Sequence, residues 1–302
     1  MLHIWALTDD KPGHQNQTAG LIQALSDYTE VHTNWLPALS FAKSLKFLLT
    51  GRCMDYCSQD KTPPDLIIGT GHKTHWALLA LKRCCGGRNI VLMTPSLPLA
   101  MFDLCLIPRH DKPPIRNNVI ETLGAINRVV PSNNRQTGQG LILLGGQSRH
   151  FNWATDKVID QINRLIDKTE EQQWTIATSR RTPSDCYHAI EQRFPDAGLV
   201  SPQSVSKDWL PQKMQEAEQI WVSEDSISMI YEALTSGAQT GIIRLDKLPG
   251  NKSTRVTQEI DRLLAEHRVM TPSFSSSSHI ESHHALNEAD RCARLILKKF
   301  EL

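Results

Sequence analysis

Residues 219–245 read QIWVSEDSISMIYEALTSGAQTGIIRL, and their pattern decides the fold class of the chain. An apolar run meets a polar turn, an amphipathic stretch follows as far as Gly237, and a second apolar run closes the segment. This change of period predicts one strand, one helix and a second strand. Asp225 or Ser226 is a natural N-cap for the helix, and Gly237 is a natural stop.

The polar turn of this segment, Ser223-Glu224-Asp225-Ser226, is expected at the helix N-terminus, beyond the carboxyl end of the strand. Backbone N–H groups, hydroxyls and carboxylates would meet there, where open α/β sheets bind phosphorylated ligands. Glu232 follows Glu224 by eight positions, about two helical turns. The pattern favours a ligand site, and a capped helix with a solvated Glu232 is the alternative.

Apolar runs and amphipathic stretches alternate through the rest of the chain. Strands are expected at 4–8, 31–36, 65–70, 90–94, 104–108, 141–144 and 174–178. Helices are expected at 15–25, 74–83, 153–168, 260–264 and 288–299, and another opens at Pro183. Strands separated by helices predict an α/β protein with doubly wound parallel sheets covered on both faces.

A polar stretch at 131–140 has no apolar anchor and is the predicted linker. A chain of 302 residues is long enough for two compact domains. They are expected at 1–132 and 133–302, and it stays open whether the last helix packs back on the first domain.

The composition argues against several classes of protein. Apolar residues make up 40%, charged residues 22%, and the net charge is +1, which is typical of a soluble globular chain and unlike a dedicated nucleic-acid binder. No apolar run approaches the ~18 residues that span a bilayer. The seven scattered cysteines are expected to be reduced, as in a cytoplasmic protein. His279, His283 and His284 lack accompanying carboxylates, so no metal is expected.

Two further polar turns follow predicted strands of the second half. They are Gly145-Gly146-Gln147-Ser148 and Ser179-Arg180-Arg181. In a parallel sheet they would share an edge with the turn at 223–226, where glycines admit a ligand, arginine binds a diphosphate, and Ser226 and Ser228 lie at a helix N-terminus. Gly-Gly after a strand is ordinary, but the three turns together favour a nucleotide or nucleotide-sugar pocket.

Two histidines follow glycines at the openings of helices in the first half: His14 after Gly13, and His72 after Gly71. A neutral imidazole at a helix N-terminus suits a general base, and the aspartates at 9–10 could orient His14 or act themselves. A capping or packing role is the alternative for each histidine.

Residues 39–52, LSFAKSLKFLLTGR, combine apolar side chains at helical spacing with Lys43, Lys46 and Arg52. A basic amphipathic helix of this kind can lie at a lipid surface, which would place a cytoplasmic protein at the inner face of the membrane. The alternative is a helix that faces the core and keeps its lysines in water.

Four stretches carry a resemblance to a known family. They are LTDDKPGHQNQ at 7–17, GTGH at 69–72, MTP at 93–95 with FD at 102–103 and PRHD at 108–111, and SEDSISM at 223–229. They resemble the mitochondrial fission, elongated-mitochondria family, which contains plant proteins and bacterial relatives regarded as glycosyltransferases. The resemblance runs over almost the whole chain.

The resemblance implies a GT-B-like architecture, in which two Rossmann-like domains face a cleft and the C-terminal one binds a nucleotide-sugar. The Gly13-His14 pair is similar to the Gly-His loop of the lipid-linked peptidoglycan N-acetylglucosaminyltransferase, whose histidine lies near the acceptor. Glu224 and Glu232 fit a Glu-x7-Glu donor motif, which implies Glu224 near the transferred sugar or diphosphate and Glu232 near a ribose.

The implied function is transfer of a sugar from a nucleoside-diphosphate-sugar to a cell-envelope glycan or lipid acceptor, with no cofactor. The expected catalytic residues are His14, Asp10 and Glu224. The expected donor site is Gly145, Gly146, Ser148, Ser179, Arg180, Arg181, Ser223, Asp225, Ser226, Ser228, Met229 and Glu232, and the expected acceptor side is Lys11, Gly13, Gln17, Gly71 and His72. A nucleoside-diphosphate-sugar epimerase and a non-catalytic adaptor of the organelle-fission type remain alternatives.

Overall fold

The computed structural model describes residues 1–53, 62–169, 171–206, 208–248, 254–272 and 286–302. They form two compact units, one of Met1–Arg128 with Glu288–Leu302 and one of Val129–Asn287. The first unit therefore ends shortly before residue 132, and it includes the last helix of the chain.

The first unit is built on a six-stranded parallel sheet. Its strands are β1 (Leu2–Thr8), β2 (Val31–Pro37), β3 (Leu66–Thr70), β4 (Arg88–Leu92), β5 (Leu104–Pro108) and β6 (Val119–Thr122), in the order β2-β1-β3-β4-β5-β6. Its helices are α1 (Pro12–Ser26), α2 (Phe41–Thr50), α3 (His72–Cys85) and, at the end of the chain, α9 (Glu288–Phe300).

Both faces of this sheet are covered, because successive residues of a strand point to opposite sides. Ile68 and Ile90 pack with residues of α1 and α9 on one face. Ile67 and Val91 pack with residues of α2 and α3 on the other. The near-continuous apolar strands follow from this double coverage, and the predicted doubly wound sheet is confirmed.

The second unit is built on a five-stranded parallel sheet. Its strands are β7 (Gln136–Leu144), β9 (Gln173–Thr178), β10 (Gly198–Val200), β11 (Ala217–Ser223) and β12 (Gln239–Ile243), in the order β10-β9-β7-β11-β12. Its helices are α4 (Thr155–Asp167), α5 (Ser184–Arg193), α6 (Trp209–Glu216), α7 (Ile227–Ser236) and α8 (Arg255–Ala265). The two-residue strands β8 (Phe151–Asn152) and β13 (Asp246–Lys247) pair antiparallel.

The predicted linker is partly wrong, since residues 136–140 form the first half of β7. Gly140 lies against the ring of Trp174, and a Cβ at this position would overlap that ring. A glycine that looked like a turn former is therefore required inside the strand. The short edge strands β6 and β10 and helix α6 were not predicted, and Pro183 is the N-cap of α5, just before its first residue.

The expectation that every cysteine is reduced is wrong for Cys85, which is disulfide-bonded. Cys85 ends α3, and its Sγ atom also lies 3.2 Å from that of Cys53, a cysteine that forms no disulfide. The histidines at 279, 283 and 284 lie outside the described residues. Within the described ranges, no group of His, Cys, Asp and Glu residues could hold a metal ion. No helix in those ranges has the length and apolar character to cross a membrane.

Candidate functional site

In the second unit, the three polar turns follow three adjacent strands, β9, β7 and β11. From β7 the chain winds through β9 and β10 to one side of the sheet, and then through β11 and β12 to the other. The carboxyl ends of β7 and β11 are therefore a topological switch point, the place where open α/β sheets bind their ligands.

Asp225 joins the three turns through hydrogen bonds and an ion pair. Its Oδ2 atom accepts from the backbone N–H of Gly146 at 3.1 Å and lies 2.8 Å from Nη1 of Arg181. Its Oδ1 atom accepts from the hydroxyl of Ser223 at 2.7 Å, and that Oγ accepts from the N–H of Gly145 at 2.7 Å. The Asp225 side chain is fully buried, so it organises the site and is not itself open to a ligand.

The two glycines are required by the packing of the turns. A Cβ at Gly145 would overlap the carboxylate of Asp225, and one at Gly146 would overlap the backbone carbonyl of Arg181. The hydroxyl of Ser179 donates to the carbonyl of Gly145 at 2.7 Å. The glycines thus have a structural reason that sequence reasoning missed, because it assigned them to the approach of a ligand.

The N-terminus of α7 opens at this edge of the sheet. Ser226 occupies the N-cap position, but no side chain caps the helix, and its first turn holds no acidic residue. Ser228 is exposed and Met229 is half-buried. The prediction of a side-chain cap is therefore wrong, because the Asp225 carboxylate contacts Gly146 and Arg181 of the other two turns. The positive end of the helix dipole is left available to an anion.

The two arginines of the second turn differ. Arg181 is engaged by Asp225 and also donates to the carbonyls of Gly146 and Gln147, each at 3.4 Å. Arg180 is exposed, and it forms no hydrogen bond or ion pair with any residue that the structure describes. Arg180 is therefore the cation of this turn whose charge can serve a ligand.

Glu224 is a buried structural acid, since only 1% of its surface is exposed. It pairs with Nε of Arg244 at 3.0 Å and accepts from the N–H of Leu245 at 2.7 Å. Burial raises its pKa, and the hydrogen bond from Leu245 and the charge of Arg244 act in the opposite direction. These contacts fasten the end of β11 to the segment after β12.

Glu232 is half-buried on α7 and forms no hydrogen bond or ion pair among the described residues. Burial raises its pKa to about 7. The two acids of the Glu-x7-Glu pattern therefore have different surroundings, and Glu232 is the one whose carboxyl is free to contact a ligand.

The hydroxyl of Ser148, in the first of the three turns, is already engaged, because it accepts hydrogen bonds from the N–H groups of His150 and Phe151.

In the first unit, the buried Asp9 pairs with the partly exposed His14. Oδ1 and Oδ2 of Asp9 lie 3.0 and 2.9 Å from Nδ1 of His14, and the Asp9 side chain is fully buried. A carboxylate only accepts, so Nδ1 carries the hydrogen, and in this tautomer Nε2 holds the lone pair. This arrangement suits a general base.

Gly71, which follows β3 and is the N-cap residue of α3, completes this arrangement. Its φ of +89° favours glycine, and a Cβ there would overlap the His14 ring. From β1 the chain first adds β2 on one side and then β3 on the other, so the carboxyl ends of β1 and β3 also form a topological switch point. His72, which follows Gly71, is exposed.

The remaining predicted residues of the first unit surround this pair in sequence. Asp10 is exposed with a φ of +64°, and its N–H donates to Oγ1 of Thr8. Lys11 and Gly13 are exposed, and Gln17 contacts the Sδ atom of Met93 at 3.5 Å.

His75 is a buried histidine of α3, inside its helix as expected. Its Nδ1 atom accepts from the N–H of Ser96 at 3.3 Å and lies 3.0 Å from the Ser96 hydroxyl. Burial, with smaller contributions from His72 and His14, lowers its pKa to about 4. It is a neutral packing residue, and the sequence offers no signal for its bond to Ser96.

A cavity of about 460 Å³ lies at the opposite edge of the second sheet. It is lined by the start of β9, including Trp174, and by the ends of α4 and α5, including Arg193. This position is remote from the three turns along β9, so the cavity is not part of the candidate site.

Sequence comparison identifies relatives of the whole chain. The family profile of mitochondrial fission ELM1 matches residues 12–300. The uncharacterized protein RP120 of Rickettsia prowazekii is 25% identical over an alignment 364 positions long, which covers 100% of this chain and 99% of that protein.

Several solved structures share the fold. The S. aureus MnaA–UDP co-structure aligns with a TM-score of 0.56 at 13% identity, over 100% of this chain and 98% of that one. MurG of Acinetobacter baumannii aligns with a TM-score of 0.53 at 14% identity, over 99% and 100%. The UDP-GlcNAc 2-epimerase of Neisseria meningitidis bound to UDP-GlcNAc aligns with a TM-score of 0.56 at 10% identity, over 100% of both chains. These likenesses confirm a GT-B-like fold of two Rossmann-like domains. The chain belongs to the mitochondrial fission ELM1 family.

Proposed function

We propose that this protein binds a nucleoside-diphosphate-sugar at the carboxyl ends of β7, β9 and β11 and transfers the sugar to a hydroxyl of a cell-envelope glycan or lipid. The observation that carries the proposal is the uncapped N-terminus of α7 at the switch point of the second sheet. Two structural neighbours, MnaA and the Neisseria epimerase, were solved with UDP and UDP-GlcNAc, which supports a uridine nucleotide as the first ligand to test.

The donor would be held by charge and by hydrogen bonds. Backbone N–H groups at the start of α7 and the guanidinium of Arg180 would bind the diphosphate. Arg181 contributes less, because Asp225 already neutralises it. The free carboxyl of Glu232 would accept a hydrogen bond from a sugar or ribose hydroxyl.

The transfer itself would use His14. Its Nε2 atom takes the proton of the acceptor hydroxyl as that oxygen forms a bond to the anomeric carbon of the sugar. The bond from this carbon to the diphosphate breaks, and the nucleoside diphosphate leaves with the electron pair. Asp9 holds the ring and stabilises the imidazolium that forms. The buried ion pair of Glu224 makes it a positioning residue of the sheet edge in this proposal.

Calorimetric titration with UDP, GDP, ADP, TDP and CMP derivatives tests the donor site. One of these nucleotides should bind, and Arg180→Ala should weaken its binding about tenfold, because one charge-assisted contact is lost. Arg164→Ala is the matched control, since Arg164 is an exposed arginine on α4 of the same unit. If every nucleotide at millimolar concentration leaves the melting temperature unchanged, the proposal fails.

Product analysis separates transfer from its two alternatives. An epimerase, suggested by the likeness to the Neisseria enzyme, would change the sugar of the donor with no acceptor present. An adaptor, suggested by the family to which the chain belongs, would tolerate His14→Ala without loss of function. A transferase requires both an acceptor and His14.

A further inference from the structure

We propose that α2 is a membrane-contact helix that binds anionic lipid. Phe41, Leu45 and Leu49 expose 57%, 39% and 77% of their surface. Residues four apart on a helix are neighbours on one face. The three side chains therefore form a continuous apolar stripe on the surface of the first unit.

The stripe belongs to a helix that is firmly attached by its other face. Ser44 and Phe47 are buried, and α2 packs against α3. The Ser40 side chain caps the start of the helix, and Gly51 ends it in the left-handed conformation with a φ of +64°. A defined helix thus presents three large apolar side chains to water, which marks an interaction surface.

The charge around the stripe selects its occupant. Lys43, Lys46 and Arg52 are exposed, and residues 38–53 contain no acidic side chain. An apolar face flanked by cations fits the headgroup region of a bilayer, where apolar burial and attraction to anionic lipids act together. An anionic lipid surface satisfies both features, whereas a purely apolar partner would leave the charges of Lys46 and Arg52 without counter-charge.

Co-sedimentation with vesicles tests this surface. The full chain is mixed with vesicles of phosphatidylcholine, with or without phosphatidylglycerol, in the absence of nucleotide. The inference does not depend on the proposed sugar transfer, so either can fail alone. Binding is expected with phosphatidylglycerol, should be much weaker without it, and should weaken as salt is added.

Two pairs of variants locate the contact. Leu45→Gln should lower binding about threefold to tenfold through lost apolar burial. Lys46→Glu should lower it about thirtyfold, since one attraction becomes one repulsion. The matched controls on α9 of the same unit are Leu295→Gln, at a residue that is 37% exposed, and Lys298→Glu. Both controls should bind like the unaltered chain.

Three outcomes would overturn the proposal. One is failure to sediment with either vesicle. Another is equal loss of binding in the α2 variants and their α9 controls while all four keep the unaltered circular dichroism spectrum. The third is a dimer in sedimentation velocity that Leu49→Gln converts to monomer, which would assign the stripe to a second copy of the chain.

Discussion

The buried carboxylate of Asp9 lies 2.9 Å from Nδ1 of His14, whose side chain is 22% exposed. The buried Asp9 fixes the orientation and the tautomer of the partly exposed His14. The division of roles is local to the first unit and involves none of the three polar turns of the second unit.

Asp9→Asn should preserve the shape of the pair and abolish most of the activity. The amide can offer Nδ1 a donor and so favour the wrong tautomer of His14, which in comparable pairs lowers kcat by about 10²–10⁴-fold. The measurement is kcat for turnover of the best-binding nucleotide-sugar, with donor affinity expected to stay the same. Asp27→Asn changes an exposed carboxylate of the same unit and should have no effect. Unchanged kcat in Asp9→Asn would remove the pair from the mechanism.

Gly145→Ala should destabilise the second unit by about 1–3 kcal/mol, because the methyl group overlaps the Asp225 carboxylate in a packed turn. Nucleotide binding should weaken with it. In Gly198→Ala the added Cβ would come no closer than 3.7 Å to its neighbours, so its change should stay within about 0.5 kcal/mol. Hydrogen exchange of the β11 amides measures the stability of the second unit in both variants. If Gly145→Ala and Gly198→Ala had equal stabilities, the turn at Gly145 would be able to rearrange around the added methyl group.

Glu232 should make the second unit less stable as the pH rises from about 4.5 to about 7. Its pKa is raised from 4.5 to about 7, so the folded state binds the proton more tightly, and the associated stability is lost as the pH passes through the folded value. Because the side chain is only half-buried, the loss is about 2 kcal/mol. Glu232→Gln should remove this slope, as measured by urea unfolding across this range. Glu171→Gln, at an exposed glutamate, should keep it.

His75 should give the first unit the opposite slope. Its pKa is lowered from 6.5 to about 4, so the unfolded chain binds the proton more tightly and stability falls as the pH drops through this window. The loss amounts to about 3 kcal/mol at most. In His75→Asn, the amide oxygen can still accept from Ser96, and exchange of the β3 amides should no longer accelerate in acid. If the stability of His75→Asn depended on pH as that of the unaltered chain does, the titrating group would not be His75. The control is His188→Asn, a change at an exposed histidine.

The fold was predictable where the apolar period was clear. The strand, helix and second strand of residues 219–245 correspond to β11, α7 and β12, and Gly237 ends the helix in the left-handed conformation. The short edge strands β6 and β10 were missed, because edge strands are only half-buried and carry a weak apolar signal. Gly140 shows a second cause: its role depends on Trp174, a residue far away in sequence.

The turns that form the candidate site were predictable from the sequence, but the hydrogen bonds and ion pairs between them were not. Sequence spacing brought Glu224 and Glu232 into one motif, yet burial and Arg244 separate their surroundings. Likewise, the sequence gives no reason to distinguish Arg180 from Arg181. Only the ion pair of Arg181 with Asp225 separates their roles. Such partners lie tens of residues apart, so no local pattern can reveal them.

Helix α9 packs on α1 although the two lie at opposite ends of the chain. During synthesis, the core of the first unit therefore stays incomplete until Cys292 and Ile296 have been made, after the whole of the second unit. The second unit, in contrast, can close while the chain is still tethered. The first unit is therefore expected to mature after the second, and a premature stop before Glu288 would damage the fold of residues Met1–Arg128.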